Sequence, residues 1–178
     1  GDVGGVVARE EDRDATDVTS TTLPAGYYTD PAYFARENDR LFRRMWLFAG
    51  RDDDTPGPGR YVTRRFGDAN VLLVRDDGGT LRAFHNVCSH RAHAVVSGDR
   101  GHCNKFLTCM YHGWTYHLDG RNRSVSAADT FPRFDRSKFG LKPIDLEVYQ
   151  GMVFVRFRAL DAAGAELLLA RLVPVRAG

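Results

Sequence analysis

Residues 88–114 read CSHRAHAVVSGDRGHCNKFLTCMYHGW, and no other stretch restricts the chain as strongly. Cys88 and His90 stand two apart, Cys109 and His112 three apart, with 18 residues between His90 and Cys109. A lone His or Cys is ordinarily structural. Two mixed pairs at chelating spacing point to a metal, because thiolate and imidazole are good ligands for zinc and iron alike. Zinc fingers usually pair Cys with Cys and His with His, whereas each pair here holds one of each. A binuclear iron–sulfur cluster accounts for that symmetry, with two Cys on one iron and two His on the other. A zinc site built from the same ligand types stays open on spacing alone.

Composition narrows the setting. The 178 residues carry 25 Lys and Arg against 23 Asp and Glu, a formal charge of +2. No basic block suggests a nucleic-acid partner. No apolar run approaches bilayer length, and the start lacks the basic-then-apolar pattern of a secretory leader, so no membrane association is expected. Three Cys make an odd number, and two of them sit in the mixed pairs. A disulfide framework is therefore not expected, and the cytoplasm is the expected compartment. Cys103 reads as a partly buried free thiol.

Residues 1–22 are polar, charged and without periodicity, as in a mobile arm. A helical segment is expected over 23–46. Asp30 can cap it, Pro31 suits its first position, and Phe34, Leu41, Phe42 and Met45 fall on one face expected to pack into the core. From Leu47 the signals become those of short strands. RYVTRRF, NVLLVRD and TLRAFHN are β-rich, with DDGG at 76–79 turning between the last two. Asp119–Gly120 marks another turn, and LEVYQGMVFVRF supplies a long strand or a hairpin pair. The end of the chain, 161–178, reads as a short helix and tail. The expected fold is mainly β: a small antiparallel sandwich or barrel with an N-terminal helix and the ligand pairs on loops.

CSHR followed by CMYHGW resembles the Rieske motif of aromatic-ring-hydroxylating oxygenase alpha subunits. The likeness extends to FARENDRLFRRMWLFAGR, NVLLVRDDGGTLRAFHNVCSHR and FGLKPIDLEVYQGMVFVRF, roughly residues 27–160. It implies a Rieske [2Fe–2S] domain over 47–160, with Cys88 and Cys109 on the inner iron and His90 and His112 on the outer. High-potential Rieske proteins carry an extra Cys in each loop, where this chain has His93 and Tyr111, and a Ser donor where it has Trp114. Fewer donors to the cluster imply a potential near the low end, roughly −150 mV. Two departures stand out: Ala92 and His93 where the family commonly has Gly, and Met110 where it often has Pro. His85, His93, His102 and His117 read as structural, and Arg91 as half of a loop or interface ion pair.

The same resemblance implies partners. An NAD(P)H-dependent reductase or a ferredoxin would donate electrons, and a catalytic domain or neighbouring alpha subunit would accept them. That acceptor holds a mononuclear Fe(II) through two His and a carboxylate. No His follows His117, so the catalytic domain is expected to be absent from this chain, and no catalytic residue is assigned. The chain reads as an oxidoreductase component, the electron-transfer part of a Rieske oxygenase; whether it catalyses alone stays open. A free-standing Rieske ferredoxin-like carrier is the alternative, and a zinc-binding module a third reading.

Overall fold

The sequence Asp30-Pro31 starts a helix for two reasons visible in the structure, a computed structural model that describes residues 22–126 and 134–157. Pro31 has no N–H to leave unpaired, and the Asp30 carboxylate accepts the Ala32 N–H at 2.8 Å. The chain divides into two compact units, 1–35 and 36–178. The first holds a short helix α1 (Gly26–Thr29) and the start of α2 (Pro31–Glu37), and the rings of Tyr27 and Tyr33 lie 4.4 Å apart.

At Asn38–Phe42 the helix widens into a π turn, in which the Arg43 N–H reaches back five residues to the Asn38 carbonyl. A π turn breaks the 3.6-residue period on which the expected core-facing stripe rested. Phe34 and Leu41 are exposed, against that expectation, at 54% and 48%, while Phe42 and Met45 are half-buried. The arm expected over 1–22, Thr22 excepted, and the helix expected over 161–178 lie outside the described residues.

The second unit is built from three antiparallel sheets. One joins β1 (Leu47–Arg51), β10 (Met152–Arg156) and β9 (Asp145–Tyr149) in the order β1-β10-β9. A second has the order β4-β3-β2-β5, from β2 (Arg60–Phe66), β3 (Ala69–Arg75), β4 (Leu81–His85) and β5 (Arg100–His102). The third is β6 (Phe106–Thr108), β7 (Thr115–His117) and β8 (Asn122–Ser124). The fold is mainly β, as expected.

The middle of β3, Val71 to Val74, is apolar throughout, and its period of two explains why. Val71 and Leu73 face one way, into a cluster with Ala49, Ala83, Ile144, Val153 and Val155. Leu72 and Val74 face the other way, into a cluster with Leu107, Trp114, Tyr116, Cys88 and Cys109. A strand buried on both faces reads as a continuous apolar run rather than an alternating one. The DDGG turn closes through Asp76, whose carboxylate accepts the Gly78 and Thr80 N–H groups and the Arg82 guanidinium. At Gly120, φ is +88° and an added Cβ would run into the Phe84 ring, so that turn requires glycine. Among the described residues no helix is long and apolar enough to cross a membrane.

Candidate metal centre

Two loops carry the Cys–His pairs, one leaving the end of β4 and one joining β6 to β7, and they close in the same way. The Cys88 N–H donates to the His93 carbonyl at 2.7 Å, and the Ala92 N–H returns to the Cys88 carbonyl at 3.0 Å. The Cys109 N–H donates to the Trp114 carbonyl at 2.9 Å, and the Gly113 N–H returns to the Cys109 carbonyl at 2.9 Å. In both, the residue four after the Cys turns left-handed: Ala92 at φ 57° and Gly113 at φ 70°. Ala92 therefore bears the strain that Gly113 avoids.

The neck of the first loop is pinned by Asn86, 2% exposed. Its side-chain oxygen accepts the Val95 and Val96 N–H groups at 3.0 Å, and its amide donates to the Val96 carbonyl at 2.9 Å. The Ser89 hydroxyl donates to the Gly140 carbonyl at 2.7 Å, and the Ser126 hydroxyl donates to the His112 carbonyl.

These loops bring all four sequence-predicted residues together. The His90 and His112 rings are 4.7 Å apart, centre to centre, and edge-on at 72°. Cys88 and Cys109 are 3% and 2% exposed. Burial pushes the Cys88 thiol up, and Cys109 beside it acts in the same direction, against the Tyr116 hydroxyl and the His90 N–H. That burial disfavours the Cys88 thiolate, and a bound metal would reverse it, because a coordinating thiol is deprotonated outright. Burial, then the facing His112 and Arg91, lowers the His90 pKa and favours the neutral imidazole that ligates metals.

His90 also supplies a direct test of fit. Its Nδ1 is buried and has no hydrogen-bond partner among the described residues. Leaving such a nitrogen unpaired costs about 1–3 kcal/mol, a cost that ligation would remove. Among the described residues no three His, Cys, Asp or Glu side chains gather to hold a single ion. A binuclear cluster asks only two protein donors of each iron. The donor set fits the cluster.

The structure adds a residue that sequence reasoning missed. The Tyr116 hydroxyl lies 3.0 Å from the Cys88 sulfur and accepts the Ser89 N–H at 3.1 Å. Since Ser89 N–H can only donate, the Tyr116 proton is free for the sulfur. Burial, and then the Cys88 sulfur beside it, pushes the Tyr116 phenol up, so it stays a donor. The expected scarcity of donors, inferred from Trp114 in place of Ser, had not counted it. The only available signal was that Tyr116 alternates inward between Thr115 and His117.

Trp114 stacks on His90 at 4.8 Å. The exposed His93 ring places Nδ1 2.8 Å from the Ala94 carbonyl, Cys103 donates its thiol proton to the Gly59 carbonyl at 3.3 Å, and His85, His102 and His117 sit on β4, β5 and β7. Arg91 is exposed and forms no ion pair among the described residues, so of the two expected pairings the one within the loop is not made.

Comparison with known proteins agrees with this chemistry. The Rieske [2Fe–2S] domain model matches residues 45–136, just over half of the chain. The chain is 41% identical over 134 residues to the glycine betaine monooxygenase oxygenase subunit of Chromohalobacter salexigens, covering 75% of this chain and 30% of that protein. It is 35% identical over 149 residues to the chloroplastic choline monooxygenase of Arabidopsis thaliana, covering 83% and 35%. Among solved structures, a quaternary ammonium Rieske monooxygenase in complex with L-carnitine superimposes with a TM-score of 0.73 at 30% identity, covering 84% of this chain and 44% of that one. Naphthalene 1,2-dioxygenase gives 0.69 at 34% identity, covering 74% and 30%. The chain spans about a third of the length of the curated relatives it matches. Its donor set and its family match coincide: the chain belongs to the Rieske [2Fe–2S] domain family, and its cofactor is a Rieske-type [2Fe–2S] cluster.

Proposed function

We propose that this chain is the electron-transfer domain of a Rieske non-heme iron oxygenase, with Cys88 and Cys109 ligating the inner iron and His90 and His112 the outer. The observation that carries this reading is the gradient of burial across the four donors: both thiols are buried, while both imidazoles are partly exposed. When bound, the cluster supplies a centre that gains and loses one electron. The residues around it sort into two tasks. The Tyr116 hydroxyl, which accepts the Ser89 N–H, and the His90 N–H act as donors on the buried thiolate side. His90 and His112 are partly exposed, and Met110 and Tyr111 beside His112 in the chain are 81% and 56% exposed, a surface where a redox partner can approach.

The donor is an NAD(P)H-dependent reductase or a ferredoxin. The acceptor is a mononuclear iron held outside this chain, in a catalytic domain or a neighbouring alpha subunit. The helical turns ahead of β1 favour an oxygenase over a free-standing carrier, which usually lacks them. The names of the similar monooxygenases, acting on glycine betaine, carnitine and choline, support a quaternary ammonium substrate for the oxygenase served. Three free thiols among the described residues suit a reducing compartment, so we place the domain, 47–160, in the cytoplasm.

The test is reduction in solution. Air-oxidised protein carrying iron and acid-labile sulfide should lose its visible absorption when NADH and a catalytic amount of a reductase are added, with one electron taken up per chain. Full cluster content with no reductase-dependent bleaching would contradict the electron-transfer role. Zinc without sulfide would end the cluster assignment itself.

A further inference from the structure

The indole of Trp114 lies flat on the imidazole of His90, with ring centres 4.8 Å apart and planes 8° from parallel. The two residues belong to different loops. Trp114 is fixed to the second loop through its carbonyl, which accepts the Cys109 N–H. Its ring, 2% exposed, is gripped edge-on by Phe134 at 5.6 Å and Phe139 at 6.1 Å. Those two phenyl rings stack on each other at 4.4 Å. His112 is placed differently, against the exposed ring of Tyr111 at 3.9 Å and 45°.

We infer that Trp114 is a positioning residue: from the second loop it fixes the ring plane of His90 in the first, while His112 keeps greater rotational freedom. The terminal torsion of a His side chain is soft, so nothing local selects its ring plane. A flat, buried partner does select it, because rotation of the imidazole would lift its face off the indole. The clamp acts on a ring whose Nδ1 is buried without a partner among the described residues. That nitrogen is thereby held in one direction with its lone pair free. The inference rests on His90 being an iron ligand, as proposed above.

Pulsed EPR of the reduced holoprotein reads the clamp without any turnover. The parent should show two histidine nitrogen couplings; their absence would count against the ligand assignment and not against the clamp. Trp114→Leu keeps apolar volume but removes the flat face. One nitrogen coupling should then shift and broaden while the other stays as in the parent, and Trp114→Phe should restore the narrow coupling. If Trp114 merely fills the core, Trp114→Leu will lower the melting temperature and leave both couplings unchanged, which overturns the inference. Equal changes in both couplings would also overturn it. Should Trp114→Leu fail to hold a cluster, Phe139→Leu decides, since it loosens the grip on the indole without removing it. A smaller broadening of one coupling supports the clamp, and unchanged couplings refute it.

Discussion

On one side of β3, Val71 and Leu73 meet Ala49, Val153 and Val155, aliphatic side chains carried by paired strands. On the other side, Leu72 and Val74 meet Leu107, Trp114, Tyr116 and the two ligand-pair cysteines. The first core is built mainly on paired strands: β3 pairs with both β2 and β4, and β10 with both β1 and β9. The second is held by loop closures, by Asn86 at the neck and by aromatic contacts between loops. Its three-stranded sheet has strands of only three residues each. The difference teaches where the cofactor matters for folding. The aliphatic side can form from strand pairing, whereas the loop side joins segments far apart in sequence and draws on the cluster to close them.

The largest test of that contrast is to remove a thiolate. Cys88→Ser or Cys109→Ser should lose the cluster and destabilise the loop side by an amount on the order of several kcal/mol. Hydrogen exchange should find the Cys88, Ala92, Cys109 and Gly113 amides unprotected while those of β3 and β10 stay protected. A cluster-free variant that melts like the parent, with those loop amides still protected, would erase the distinction. His90→Ala should be milder for the fold, because the buried thiolates remain.

A smaller effect is expected at Tyr116, which touches the thiolate side without ligating it. Tyr116→Phe removes the donor 3.0 Å from the Cys88 sulfur. That bond withdraws charge from the sulfur and so favours the reduced state. A bond worth about 1 kcal/mol more to the reduced form corresponds to a fall in potential on the order of 50 mV on its removal. Redox titration would measure it, and an unchanged potential would mean that the hydroxyl does not act on the sulfur.

The smallest effect should come from matching the two loops. Ala92→Gly gives the first loop the residue type that the second already has at its left-handed position. Stability of the holoprotein should rise by about 0.5–1 kcal/mol, the relief of left-handed strain less the entropy of glycine. Chemical denaturation would check the sign, and a loss of stability would show that the loops close for different reasons.

The same contrast marks what was legible in the sequence. β2, β3 and β4 lie where β-branched runs and the DDGG turn predict them, and LEVYQGMVFVRF is a hairpin turning at Gln150–Gly151. The two Cys–His pairs stood out in the sequence because metal spacing is local. β5 was not, since Arg100-Gly101-His102 has no apolar alternation. The π turn at Asn38–Phe42 was hidden because a helical period is indifferent to one wide turn. The bonds from Tyr116 to Cys88 and the stack of Trp114 on His90 cross between loops, and no local pattern announces a contact between loops.

The central claim is that two irons sit in unlike surroundings, one on Cys88 and Cys109, the other on His90 and His112. Mössbauer spectroscopy of the oxidised, isotopically enriched protein measures this directly. Two quadrupole doublets of equal area are expected, one from iron bound by sulfur alone and one from iron that also bears two imidazole nitrogens. A single doublet from both irons would contradict the mixed ligation and with it the assignment of the four residues.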